Sequence, residues 1–334
     1  MTDRLADLAA TPEWLPFELD LGSDRVALLH LSEADYRAAS FLDPRVLQPD
    51  SVLVETAWTK LDVPAEARRD VQYIFHIGNV GSTLISRLLG ELPEVFALRE
   101  PLPLRTFADA PPDTADFDRL TALLSRTFRP EQRANVKATS FTSELADRLV
   151  PPGSKALFLY ATPDTYLASI LAGQNSWQTL AALSEIRLAR LQSRCPGLTA
   201  DIGKMHDGLK AALGWGCEMT SLERAAAALP AGSVLWLDFD TFLADPVRHF
   251  VAIANHFGIE ISPQRAGEIA EGPLMRRYSK ALDYEFSPRA RRETLADARF
   301  RHGRAIEDGL DWLSRLASRY PAVAQAIRRA QGKA

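Results

Sequence analysis

The chain has 334 residues, 46% apolar and 25% charged, a balance that supports a sizeable core and excludes a disordered or fibrous polymer. Its net charge of -4 excludes a uniformly basic surface of the kind that binds nucleic acid regardless of sequence. The acidic N-terminus lacks a basic and apolar leader, and no apolar run approaches the ~20 residues that span a bilayer, so a cytoplasmic protein without a membrane partner is expected. Cys195 and Cys217 belong to no CxxC pair or Cys/His cluster. This argues against structural zinc and for two reduced thiols, with a disulfide left open.

In chain order, residues 1–68 read as an N-terminal extension carrying one strand at Arg25–Leu31, then turns and a short helix after Phe41. Pro64 and the charged run Glu66–Asp70 mark a boundary, and residues 69–334 form the main unit. Tyr73–Ile77 is an apolar strand entering a glycine-containing loop. The spacing of Leu84, Ile85, Leu88 and Leu89 predicts a helix over 82–89. Further strands are expected at Glu94–Leu98, Ala134–Ala138, Lys155–Tyr160 and Ser233–Asp238. Helical stripes follow at 246–257 (Val247, Phe250, Val251, Ala254) and 304–318 (Ile306, Leu310, Leu313, Ala317). Strands separated by helices imply an α/β fold, a parallel sheet of about five strands covered by helices on both faces. Ligands of such sheets bind beyond the carboxyl ends of the strands.

The strongest local signal is Gly78-Asn-Val-Gly-Ser-Thr, a strand running through a glycine-rich turn into Ser82 and Thr83 at a helix start. Backbone N–H groups there can bind a phosphate or sulfate, although Ser and Thr are also ordinary helix caps. Gly81 is followed directly by Ser82, so the lysine of a Walker A motif is missing, which argues against a nucleotide kinase.

In this context the loop resembles the P-[KR]-S-G-T-T loop of the sulfotransferases, with Asn79 standing where the family has its basic residue. Four other stretches fit the family in order: Arg99-Glu-Pro, Val136-Lys-Ala, Leu159 to Ser169, and Leu235 to Pro246. The resemblance covers roughly residues 70–260. It implies a P-loop-type sulfotransferase-like domain that takes 3'-phosphoadenosine 5'-phosphosulfate (PAPS) as donor. A small-molecule or peptide acceptor would receive the sulfuryl group on a hydroxyl or amine by in-line displacement, and a homodimer is allowed.

By the same resemblance, Gly78, Asn79, Val80, Gly81, Ser82 and Thr83 would hold the 5'-phosphosulfate. Glu100 would act as base, Lys137 would stabilise charge on the leaving group, and Ser169 would bind the 3'-phosphate. The family's arginine for that phosphate is Ala161 here. Arg276, Arg277 and Lys280 follow Gly272-Pro273 in a late loop and are the expected compensating cations. Arg289, Arg291 and Arg292 form a second basic group, readable equally as a solvated helix face. His76 reads as a core histidine, Asp238 and Asp240 as turn or cap residues, and Trp177 as either acceptor lining or packing. The missing charges at Asn79 and Ala161 keep an alternative open, a sulfotransferase-like protein that has changed or lost its donor.

Overall fold

A computed structural model describes residues 10–61, 63–277 and 287–333; within 174–179 it describes the backbone alone. Among the described residues, eight strands make two sheets. β1 (Trp14–Asp20), β2 (Arg25–His30) and β3 (Leu53–Ala57) form an antiparallel sheet in the order β1-β2-β3, with an irregularity between Pro16 and Glu18. β4 (Gln72–His76), β5 (Val95–Arg99), β6 (Arg133–Lys137), β7 (Ala156–Tyr160) and β8 (Val234–Asp238) form the second sheet. Its order is β5-β6-β4-β7-β8 and every pairing is parallel.

The five strands lie within a residue or so of the sequence expectation; β4, β5, β7 and β8 are short, mostly apolar runs, whereas β6 alternates Arg133, Asn135 and Lys137 with Ala134 and Val136. β4, β5 and β7 are buried at every position, as strands covered on both faces must be. The chain leaves β4 toward the β5 edge and later crosses back over β4 to reach β7. Right-handed crossovers therefore put helix Ser82–Leu89 on one face and the helices between β5 and β8 on the other. β4 is the strand at which the direction of winding reverses, the place where open α/β sheets leave a crevice. None of the described helices is long and apolar enough to cross a membrane.

The antiparallel sheet escaped the sequence reading except for β2. Its inward residues Leu15, Phe17, Val26, Leu28 and Leu29 share one buried cluster with the five-stranded sheet. Polar ties reinforce this junction. Arg99, at the end of β5, donates to the carbonyls of Tyr36, Arg37 (3.0 Å) and Ala39 (2.7 Å). Burial, with repulsion from Arg87 and Arg37, brings the Arg99 guanidinium down to about 9. Arg126 donates to the carbonyls of Thr11 (2.7 Å) and Trp14 (2.8 Å), and the Trp58 indole to Asp116 (2.6 Å). Cys195 and Cys217 are both free and buried.

Candidate functional site

The carboxyl ends of the parallel strands open into one cavity of about 1690 Å³. That exceeds the ~300–1,000 Å³ of a typical single-ligand pocket and gives room for two ligands. Its lining carries Arg45, Arg105, Lys137, Arg187, Arg277 and Arg291 against Asp35, Asp50 and Glu100. Among the described lining residues six cations stand against three carboxylates, and Arg45, Arg187 and Arg291 are paired besides with Asp43, Glu218 and Asp240.

The loop after β4 forms one wall. Gly78 has φ +93, Asn79 φ +54 and Gly81 φ +66, so three of its residues lie in the left-handed region. Glycine enters that region without strain and asparagine more readily than most residues. Gly81 is also the N-cap of helix Ser82–Leu89, and a Cβ there would overlap the Phe239 ring. Among the described residues, the backbone N–H groups of Val80, Gly81, Ser82 and Thr83 have no protein acceptor. The buried Thr83 hydroxyl likewise has no partner. Gly78 differs, since its N–H donates to His76 Nδ1 at 3.1 Å. Unused donors at the positive end of a helix can hold an oxyanion without further machinery.

Glu100 and Lys137 meet in the same cavity. β5 and β6 are paired in register with Arg99 opposite Lys137, so the next residue, Glu100, comes level with the end of β6. The Glu100 N–H donates to the Lys137 carbonyl at 2.7 Å, and the Lys137 ammonium is ion-paired with Glu100 Oε1. Lys137 is wholly buried and its Nζ lies 5.1 Å from the Phe41 ring centroid. Glu100 has φ +56, a left-handed conformation costing a residue with a Cβ about 1–2 kcal/mol. Strain of this kind persists only where the surroundings enforce it, and it clusters at functional sites.

The remaining expected residues separate. Ser169 lines the cavity half-buried, its hydroxyl donating to the Tyr166 carbonyl at 2.8 Å. Arg277 lines it too, whereas Arg276 is exposed and stands outside the lining; Lys280 lies outside the described residues. From the second basic group Arg291 faces the cavity, its Nε 3.1 Å from Asp240 Oδ1 and its guanidinium 5.1 Å from the Phe239 ring centroid. Arg289 instead pairs with Glu293 at 2.8 Å on an exposed surface. Asp238 caps the helix after β8, accepting from the Thr241 N–H at 2.8 Å, and burial raises its carboxyl above the ordinary range. Of Trp177 only the backbone, in helix Gln174–Arg194, is described.

Sequence reasoning missed Arg45, Arg105 and Arg187. Arg45 belongs to a short turn whose Asp43 holds it over the Phe41 ring, 3.5 Å from the centroid. No motif announces such a residue. Arg187 had a weak signal in its partner, Glu218, an acidic residue within the otherwise apolar stretch Trp215–Met219.

No protein-family model and no curated protein matches the sequence. Solved structures do. The sulfotransferase domain from the curacin biosynthetic pathway is 13% identical at TM-score 0.40, over 66% of this chain and 85% of that one. A sulfotransferase from Alicyclobacillus acidocaldarius is 16% identical at TM-score 0.38, over 72% and 96%. A mouse sulfotransferase complexed with PAP is 14% identical at TM-score 0.35, over 61% and 65%. At such values the fold rests on the sheet order and register described above, independently of these likenesses.

Proposed function

We propose that the cavity transfers a sulfuryl group from PAPS to a hydroxyl or amine of a small acceptor. The observation that carries the reading is the pairing of Glu100 with Lys137 beside a loop of unused N–H donors. The loop N–H groups and the Thr83 hydroxyl receive the 5'-phosphosulfate oxygens. Glu100 takes the acceptor proton as the acceptor atom bonds to sulfur, and the bond from sulfur to the bridging phosphate oxygen breaks. Lys137, released from Glu100 as the carboxylate gains that proton, stabilises the charge on the departing phosphate. Adenosine 3',5'-bisphosphate leaves. Lys137, Arg277 and Arg291 supply the positive charge that Asn79 and Ala161 do not.

Thermal denaturation with nucleotides tests this reading. At a hundredfold excess over Kd, adenosine 3',5'-bisphosphate should stabilise the native state by about 2.7 kcal/mol. For a chain of 334 residues that corresponds to an increase in melting temperature of roughly 4 °C. Adenosine 5'-monophosphate should act more weakly, since it leaves the cations meant for the 3'-phosphate unused. A protein whose melting temperature ignores the bisphosphate would rule the reading out. Equal response to both nucleotides would favour the second reading, prompted by Asn79 and Ala161, of a related fold working with another donor.

A further inference from the structure

Two polar side chains in the cavity wall take no part in the chemistry above. Tyr166 is 1% exposed and Arg187 4% exposed, yet both line the cavity. The Arg187 Nε lies 3.3 Å from Glu218 Oε1. Among the described residues, neither Nη1 nor Nη2 of Arg187 has a hydrogen-bond partner, and neither has the Tyr166 hydroxyl. These atoms open onto the cavity instead of being sealed in the core, so whatever fills the cavity, water or ligand, is their hydrogen-bond partner.

A glycine lets the two groups pack close together. Helix Asp207–Ala228 carries Gly214 in its interior, at a cost of about 1 kcal/mol relative to alanine. A Cβ on Gly214 would stand 3.3 Å from the Tyr166 hydroxyl oxygen and 3.5 Å from Arg187 Nη1. Both groups therefore sit against Gly214, next to one another in the cavity wall. Their chemistry is one-sided. Burial pushes the Tyr166 phenol up to about 12, so it stays protonated and can donate. Burial works against the Arg187 charge, but its neighbours, the Glu218 carboxylate first among them, together outweigh this and raise the guanidinium above its ordinary value. The facing group on a ligand must therefore accept hydrogen bonds, and a guanidinium with two free Nη groups fits an oxyanion better than a single carbonyl.

We propose, taking the cavity as the two-ligand transfer site argued above, that Tyr166 and Arg187 form a second oxyanion-binding position in it. The group it holds is a carboxylate, phosphate or sulfate, carried either by the acceptor or by the donor as its 3'-phosphate.

Selenate is the probe, because selenium can be located by anomalous diffraction. Crystals of the wild-type chain grown in selenate should show one peak at the loop and a second between Tyr166 and Arg187. The second should disappear in Tyr166→Phe, a substitution that removes only an unpaired hydroxyl and should leave the unliganded melting temperature within about 1 °C. Soaking adenosine 3',5'-bisphosphate then separates the sources. Displacement of the second peak by the 3'-phosphate assigns the position to the donor, and Tyr166→Phe should then weaken the bisphosphate about tenfold or more without affecting adenosine 5'-monophosphate. Persistence of that peak beside bound bisphosphate assigns it to the acceptor.

A folded double variant Arg187→Met with Glu218→Gln, which removes the buried pair together, should also lose the second peak alone. Absence of a second peak from the wild type overturns the proposal, as does its survival in both variants. Failure of the donor reading shows differently, as bisphosphate that leaves the loop selenate in place.

Discussion

Glu100→Gln is expected to lower turnover by about 10²- to 10⁴-fold, the usual contribution of a positioned general base. The amide keeps the shape of the side chain and an oxygen for the Lys137 ammonium, but cannot take a proton. Binding of adenosine 3',5'-bisphosphate should change little, because the lost interaction belongs to the transition state. Release of labelled sulfate from the donor, to an acceptor or slowly to water, measures turnover; calorimetric titration measures binding. Unchanged turnover would remove Glu100 from the chemistry. A loss of binding as large as the loss of turnover would recast it as a structural partner of Lys137.

The second large effect is expected at Gly81. An alanine there must hold φ near +66 and place its Cβ into the Phe239 ring. The backbone term costs about 1–2 kcal/mol and overpacking about 1–3. Together they should lower the melting temperature by roughly 3–7 °C and abolish nucleotide binding, because the loop N–H groups lose their alignment. Adding Phe239→Leu should recover part of the stability, since it relieves the overlap and leaves the backbone term in place. A Gly81→Ala protein that melts like the wild type, followed by circular dichroism, would show that the loop is less constrained than its packing indicates.

Most of the parallel sheet was legible because its strands are short apolar runs between turns, β6 with its alternating polar residues being the exception. The antiparallel sheet was less so. β1 carries Pro16 at its irregularity, a residue that reads as a break, and β3 has no fully buried position. The loop and the residues following β5 and β6 were legible for a different reason, since position after a strand in this fold class is already position at the ligand. Cations reaching the cavity from elsewhere were not. Arg276 and Arg277 are adjacent in sequence, and only Arg277 lines the cavity. Arg291 is distinguished from the exposed Arg289 by Asp240 and the Phe239 ring, contacts that span 51 and 52 positions of chain. Tyr166 lies in a stretch singled out for Ser169 and Arg187 is marked only by its partner Glu218; their meeting beside Gly214 belongs to the fold.

The junction made by Arg99 and Arg126 has a consequence on the timescale of protein synthesis. Strands β1 to β3 leave the ribosome before either arginine exists. Arg99 follows Ala57 by 42 positions and Arg126 by 69, which at about 5–20 residues per second take roughly 2–8 s and 3–14 s. Until Arg99 is made the carbonyls of Tyr36, Arg37 and Ala39 lack their guanidinium donor, until Arg126 is made so do those of Thr11 and Trp14, and the core side of the sheet lacks most of its partners. Its edge carries Val52 and Leu53, 53% and 45% exposed even in the finished protein. A nascent chain in that condition offers a bare strand edge and an apolar face to its neighbours on the polysome. The aggregation hazard of this protein therefore lies in the first third of its translation, and chaperone capture or slower initiation acts on yield there.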